Sequence, residues 1–387
     1  VVVGAAMAPA WAEAPPAAAA PAVAEAIDVA AILEPIRKKH NLPAMGGAVV
    51  RGGEVVAVGV SGVRKTGDPT PVTEDDLWHI GSCTKSMTAT LCAVLVERGK
   101  LRWDMTLAEV FPDEAPTMHE AFRGVTLEQL LTNRGGVPTD LSAGGLWSQL
   151  WTFRGTPREA RRLLLRSVTS RAPAAEPGTK FIYSNGGFAI AGHMAETVMD
   201  QPYEELMQEL VFGPLGMTTV GWGAPGDPPP ADGAITQPWG HTAKGDPVEP
   251  GIRGDNPTGI APAGRAHLTL RDWGRYVALH VGGEKEEPVN GLPRLLKPET
   301  MRRLHTPPEG ATGPGSDYAM GWGRTMRPWG GGHVLTHNGS NTMWFAVTWL
   351  APEKDFAVLV TCNQGGDVAA KACDEAAGAL IGAVSGR

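Results

Sequence analysis

HIGSCTKSMTATLCAVLVERGKL, residues 79–101, sets a serine three positions before a lysine at a predicted helix start. The apolar residues Met87, Leu91, Val94 and Leu95 recur at helical spacing, and Gly99 ends the pattern. Ser82 and Lys85 then stand one turn apart on one face, where the amine can reach the hydroxyl. The helix start adds unpaired N–H groups and a positive dipole end, which suit a developing oxyanion. Serine is also a favoured helix cap, so the pair gains chemical meaning only in suitable company. Lys85 can act as a base only if burial or a neighbouring cation keeps its amine neutral near pH 7. Cys83 is a rival nucleophile, although the residue one turn before Lys85 is the serine.

Company appears in two later stretches. In GTKFIYSNGGFAIAGHMAE (178–196) a short apolar run leads to Tyr183-Ser184-Asn185 just before a predicted helix. Tyr183 and Lys85, if neighbours, are expected to shift one another's pKa, because phenolate and ammonium attract. In LTHNGSNTMW (335–344) a predicted strand ends in His337-Asn338-Gly339-Ser340. Glycine on a strand edge marks close approach of another backbone or a ligand. A backbone N–H of this strand would complete an oxyanion hole with that of Ser82.

The rest of the chain frames these motifs. Residues 47–63 carry two β-branched runs about a Gly-Gly turn and read as a hairpin. Residues 333–340, 343–350 and 356–361 read as three strands, the last two joined by the turn Ala351-Pro352-Glu353-Lys354-Asp355. A final helix from Asp367 places Cys373, Ala377, Leu380, Ile381 and Val384 on one face. Between these ends the sequence is mostly helical. Thr126 with Gln129, Thr156 with Glu159 (after Pro157) and Thr269 with Asp272 signal helix starts. Residues 223–264, rich in Gly and Pro, read as long loops. The expected layout is an antiparallel sheet domain (28–80 plus 265–387) flanked by helices, and a mostly helical domain (81–264) with long loops. Ser82 would border the crevice between them.

Composition narrows the function classes. With 42% hydrophobic and 19% charged residues the chain of 387 can bury a proper core. A formal charge of −7 and the lack of a basic run argue against nucleic acid. Residues 1–27 read as the remnant of a secretory signal, ending near Ala10-Trp11-Ala12, followed by a flexible leader. The apolar part is shorter than the ~20 residues a membrane-spanning helix needs, so no stable span is expected. A periplasmic or secreted location follows from that reading. The four cysteines lack metal spacing, the ten histidines are scattered, and neither a metal nor a cofactor is expected. No serine lies in G-x-S-x-G, which counts against an α/β-hydrolase.

Taken in order, S-x-x-K, Y-x-N and H-x-G resemble the three signature motifs of the serine β-lactamase and penicillin-binding-protein superfamily. The likeness is to the branch of class C β-lactamases, family VIII carboxylesterases and D-aminopeptidases. It covers roughly residues 28 to 384 and extends to LWHIGSCTKSMTA, LEQLLTNRGGVP, ELVFGPLGMTTVGWG and GIAPAGRAHLTLRDWGRY. The resemblance implies that Ser82 is the acylated nucleophile and that Lys85 and Tyr183 share proton transfer. It also implies that Asn185 hydrogen-bonds the substrate or Lys85, and that Ser82 and Ser340 supply the oxyanion hole beside Gly339. Two departures stand out. His337 replaces the lysine usual in β-lactamases and D,D-peptidases, and Asn133-Arg134-Gly135-Gly136 replaces a histidine-bearing S-G segment.

The function expected is hydrolysis of a small ester or amide through an acyl-enzyme, as an esterase or a D-amino-acid amidase or peptidase. The alternatives are a class C-like β-lactamase or D,D-peptidase acting on a β-lactam or peptidoglycan fragment, and a non-catalytic module binding peptidoglycan or a partner.

Overall fold

The computed structural model describes residues 27–286 and 293–386. The stretch 1–26, where the expected leader falls, lies outside them. The N-terminal hairpin forms as the sequence predicts. Strand β1 (Ala44–Arg51) turns through Gly52 and Gly53, with φ of 59° and 80°, into β2 (Glu54–Gly62). Two consecutive positive φ values make the tight turn whose twist matches that of paired strands.

Four strands from the far end of the chain join this hairpin: β3 (Gly323–Arg327), β4 (Gly332–Ser340), β5 (Phe345–Ala351) and β6 (Phe356–Cys362). The six-stranded sheet runs β2-β1-β6-β5-β4-β3, antiparallel throughout. Each central strand is covered on both faces, which explains the unbroken burial of β6. On the outer face lie α1 (Val29–Lys39) and the last helix, here α6 (Asp367–Ser385). Their Leu33, Ala376 and Leu380 meet Met45, Val49, Val358 and Val360 in one core cluster. On the inner face α5 (Leu270–Gly282) sets Trp273 and Val277 against the other side of the sheet.

Helix α2 (Thr84–Glu97) differs from its sequence reading. Rather than showing one apolar stripe, it is buried all round from Thr84 to Leu95, because sheet-side and helical elements enclose it. Its neutral Thr and Ser residues are tolerated because each hydroxyl donates to a carbonyl. Thr84 uses Gly81, Ser86 uses Cys83, Thr88 uses Pro262 and Thr90 uses Ser86. No helix among the described residues is long and apolar enough to cross a membrane.

The helical side is built on α3 (Pro157–Thr169) and α4 (Asn185–Met199). Both expected capping boxes form, at Thr126 with Gln129 and at Thr156 with Glu159, and Thr269 caps α5. Between α3 and α4 a fully buried ion pair replaces apolar packing. Arg161 Nη2 lies 2.7 Å from Glu196 Oε2, Arg161 Nη1 lies 2.9 Å from Glu204, and His193 Nδ1 sits 2.6 Å from Glu196 Oε1. All four cysteines are buried free thiols.

Breaking a buried pair from one side leaves the other charge uncompensated. Arg161→Met should therefore lower the unfolding free energy by about 3–5 kcal/mol in a urea titration. A loss well under about 1 kcal/mol would show that the pair does not hold α3 to α4.

Candidate active site

The serine does not cap α2. Ser82 sits in a short 3₁₀ turn, Gly81–Cys83, that precedes the helix, and the cap position falls on Cys83. The turn keeps Ser82 half-buried at the crevice while Lys85, one turn on, is fully buried. Lys85 Nζ donates to Ser82 Oγ at 3.0 Å, to Asn185 Oδ1 at 2.7 Å and to the Ala263 carbonyl at 2.8 Å. Its amine also lies 4.7 Å from the centre of the Tyr183 ring. Ser82, Lys85, Tyr183 and Asn185, drawn from two stretches a hundred residues apart, thus form one cluster.

Burial controls protonation here. Removal from water lowers the Lys85 pKa to about 7, so roughly half of the amines are neutral at pH 7. Tyr183 goes the other way: burial raises its pKa, and contact with the Ser82 side chain offsets only part of that. The lowering that an adjacent ammonium would give Tyr183 is therefore corrected: its phenol stays protonated because desolvation dominates. The Lys85 shift comes from burial; attraction to a phenolate would have raised its pKa. Cys83 is excluded as a rival by the same physics. Its thiol donates to the His337 carbonyl at 3.6 Å, and burial pushes its pKa up despite the charge of Lys85.

The strand β4 closes the other wall. Gly339 and the nucleophile turn touch backbone to backbone. A Cβ at Gly339 would lie 2.0 Å from the Ile80 carbonyl oxygen and 2.5 Å from the Ser82 nitrogen. A Cβ at Gly81, whose φ is 50°, would lie 2.4 Å from the Ser340 nitrogen. The amides of Ser82 and Ser340 are adjacent because neither glycine carries a side chain. His337, on the same face as Gly339, is buried and meets the Tyr318 hydroxyl at 3.1 Å through Nε2. Burial, and next the charge of Lys85, lower its pKa to about 4, so it is neutral near pH 7.

Several positioning groups were not legible in the sequence. Asn133, the departure from the histidine-bearing segment, adopts φ 57° and clamps the Tyr183 segment. Its carbonyl accepts from the Ile182 amide at 2.7 Å, and its side chain from the Ser184 amide at 2.9 Å. Asp255, fully enclosed, joins the segments that carry the Ser82 and Ser340 amides. It lies 2.9 Å from His79 Nε2, 3.0 Å from Arg265 Nε and 3.1 Å from Asn341 Nδ2, while His79 Nδ1 accepts from the Gly81 amide. Tyr318 was missed because nothing near it in sequence marks it as more than a packing aromatic. Among the described residues no cluster of His, Cys, Asp or Glu is arranged to hold a metal ion.

A family model described as Beta-lactamase matches residues 29–382. Penicillin-binding protein 4 of Amycolatopsis lactamdurans is 26% identical over 343 residues, covering 85% of this chain and 83% of the relative. An unguisins hydrolase of Aspergillus campestris is 25% identical over 342 residues, covering 87% of this chain and 61% of its own. A class C β-lactamase structure from Rhodobacter sphaeroides superposes with a TM-score of 0.69 at 21% identity, over 92% of this chain and 99% of that one. A D-alanine carboxypeptidase from Burkholderia cenocepacia gives 0.67 at 23% identity, over 89% and 96%. The structural likenesses show the fold.

Because every atom that a Cβ at Gly339 would strike first is backbone, nothing can swing aside. Gly339→Ala should keep a native circular dichroism spectrum yet lose about a hundredfold in turnover, since a shift near 1 Å at a reacting group costs that much. Turnover within about twofold of the parent would show that the two amides need not be adjacent.

Proposed function

Since the chain belongs to the β-lactamase family, whose superfamily members are serine hydrolases, we propose that it hydrolyses small esters or amides through an acyl-enzyme on Ser82. One observation carries the reading: a buried lysine amine, with its pKa near 7, donates a 3.0 Å hydrogen bond to the candidate nucleophile. In its neutral form that amine takes the Ser82 proton as Oγ attacks the substrate carbonyl carbon. The resulting oxyanion receives hydrogen bonds from the Ser82 and Ser340 amides. The C–O or C–N bond then breaks, and the leaving group departs with a proton returned through Lys85 and Tyr183. Water attacks the acyl carbon, passes a proton to the same pair and releases the acid, which restores Ser82. Assigning the first proton to Lys85 follows from the opposite pKa shifts of the two residues. A periplasmic or secreted location is part of the proposal and rests on Ala10-Trp11-Ala12; fractionation of producing cells tests it.

The relatives' names favour a second reading, action on β-lactams or D-alanyl peptides. His337 stands against it, because a neutral imidazole gives no fixed cation for a substrate carboxylate. Two arginines that could supply such a charge, Arg265 and Arg324, are otherwise engaged. Arg265 is held by Asp255, and Arg324 donates to Thr306.

A fluorophosphonate should add mass to the peptide carrying Ser82, and Ser82→Ala should lose both label and turnover. With a neutral ester, kcat/KM should rise with pH through about 7 as Lys85 loses its proton. Labelling that persists in Ser82→Ala, or moves to Cys83, would overturn the assignment. For substrate choice, His337→Lys should raise the kcat/KM ratio of carboxylate-bearing over neutral esters by about ten- to a hundredfold, the scale of one charge-assisted hydrogen bond. Efficient turnover of nitrocefin by the parent, unchanged by that substitution, would favour the second reading.

A further inference from the structure

Pairing of β3 with β4 stops at Thr336, opposite Gly323. From His337 to Ser340, β4 is paired through β5 alone, and a groove of about 460 Å³ opens at that edge. At one end are Tyr183, Tyr318 and His337; at the other, on the outer face of the sheet, are Phe345 and the α6 residue Asp374, with Asn338 between them. The groove is therefore continuous with the candidate active site and leaves it on the Tyr183 side. In the reading above, Tyr183 helps return a proton to the leaving group. What extends down this groove is then the leaving-group half of the substrate.

The charge of the lining is one-sided. It contains no lysine or arginine, His337 is held neutral, and the one formally charged lining side chain is the exposed carboxylate of Asp374. The neighbouring cations do not neutralise it. Lys371, a turn back on α6, is exposed and forms no ion pair with it, and Arg327 sits over the Trp349 ring at 5.5 Å. The aromatic rings of Tyr183, Tyr318 and Phe345, which line the rest of the path, favour a cation and disfavour an anion.

We propose that this groove is a subsite for a positively charged leaving group, an aminoalkyl or quaternary ammonium alcohol or amine, with Asp374 as its counter-ion. The proposal rests on the acyl-enzyme reading and names the substrate class of that same site. Asp374 acts on binding and orientation and takes no part in proton transfer.

The test uses two butyrate esters of matched shape, one of choline and one of 3,3-dimethylbutanol, which replaces the charged nitrogen with carbon. The parent protein should prefer the choline ester in kcat/KM by about three- to tenfold relative to Asp374→Asn, the range for a partly exposed charge pair. Asp374→Asn supplies the reference for the intrinsic reactivity of the two esters. Asp374→Lys should reverse the preference, and raised salt should weaken it in the parent alone. If turnover is too slow to measure, protection of Ser82 against fluorophosphonate by the two alcohols gives the same ratio. A parent ratio equal to that of Asp374→Asn overturns the subsite while leaving the acyl-enzyme reading intact. Failure of Ser82 to label or to turn over either ester overturns both.

Discussion

Lys85 has no contact with water, and its amine is held by Ser82, Asn185 and the Ala263 carbonyl. These acceptors come from the turn before α2, the first residue of α4 and the short turn Ala261–Gly264. None of them is a carboxylate. An ammonium buried among neutral dipoles is poorly compensated, and shedding its proton relieves the penalty. The feature that costs stability is thus the one that fits the lysine for its proposed role as a base near pH 7. A carboxylate at any of the three places would stabilise the ammonium and remove its basicity. Such a carboxylate does exist nearby: Asp255 is spent on His79, Arg265 and Asn341, one layer behind the site.

That layer matters because the candidate oxyanion hole has no covalent continuity. Ser82 and Ser340 are 258 positions apart in the chain, and they meet only because Gly81 and Gly339 allow backbone contact. Contact alone leaves the two segments free to slide. Asp255 removes that freedom by bonding Asn341, which follows Ser340, and by meeting His79, whose ring accepts from the Gly81 amide. The Gly- and Pro-rich stretch that reads only as loop in the sequence therefore carries both the Lys85 acceptor and the anchor of the two amides.

Legibility followed locality. The hairpin, the last three strands, α6 and the helix caps depend on residues close in sequence, and they stand where periodicity and turn chemistry placed them. Ser82 and Lys85 were legible because three residues of helix fix their separation. Tyr183, Asn185 and His337 needed the joint order of three motifs, since each alone is an ordinary residue. Tyr318 and Asp255 had no such signal. Tyr318 meets His337 19 residues on, and Asp255 meets Asn341 86 residues on, so only the closed fold brings them together. Protonation was the least legible property. Tyr183 and Lys85 were expected to respond to each other, whereas burial dominates both, and burial belongs to the whole packing.

The exchange of lysine for His337 has a consequence for catalysis as well as for binding. A lysine at that place would set a second cation beside Lys85 and push its pKa lower by repulsion. The chain reaches a pKa near 7 at Lys85 by desolvation without that help, and burial and Lys85 together keep His337 neutral. Proton transfer is thereby uncoupled from the charge that selects substrate. Selectivity is free to pass to residues outside the proton-transfer cluster, along the open edge of β4. A negative group there is exposed to solvent, which screens its field on Lys85. Substrate charge preference can then change on the sheet edge and α6 while the base keeps its working pKa.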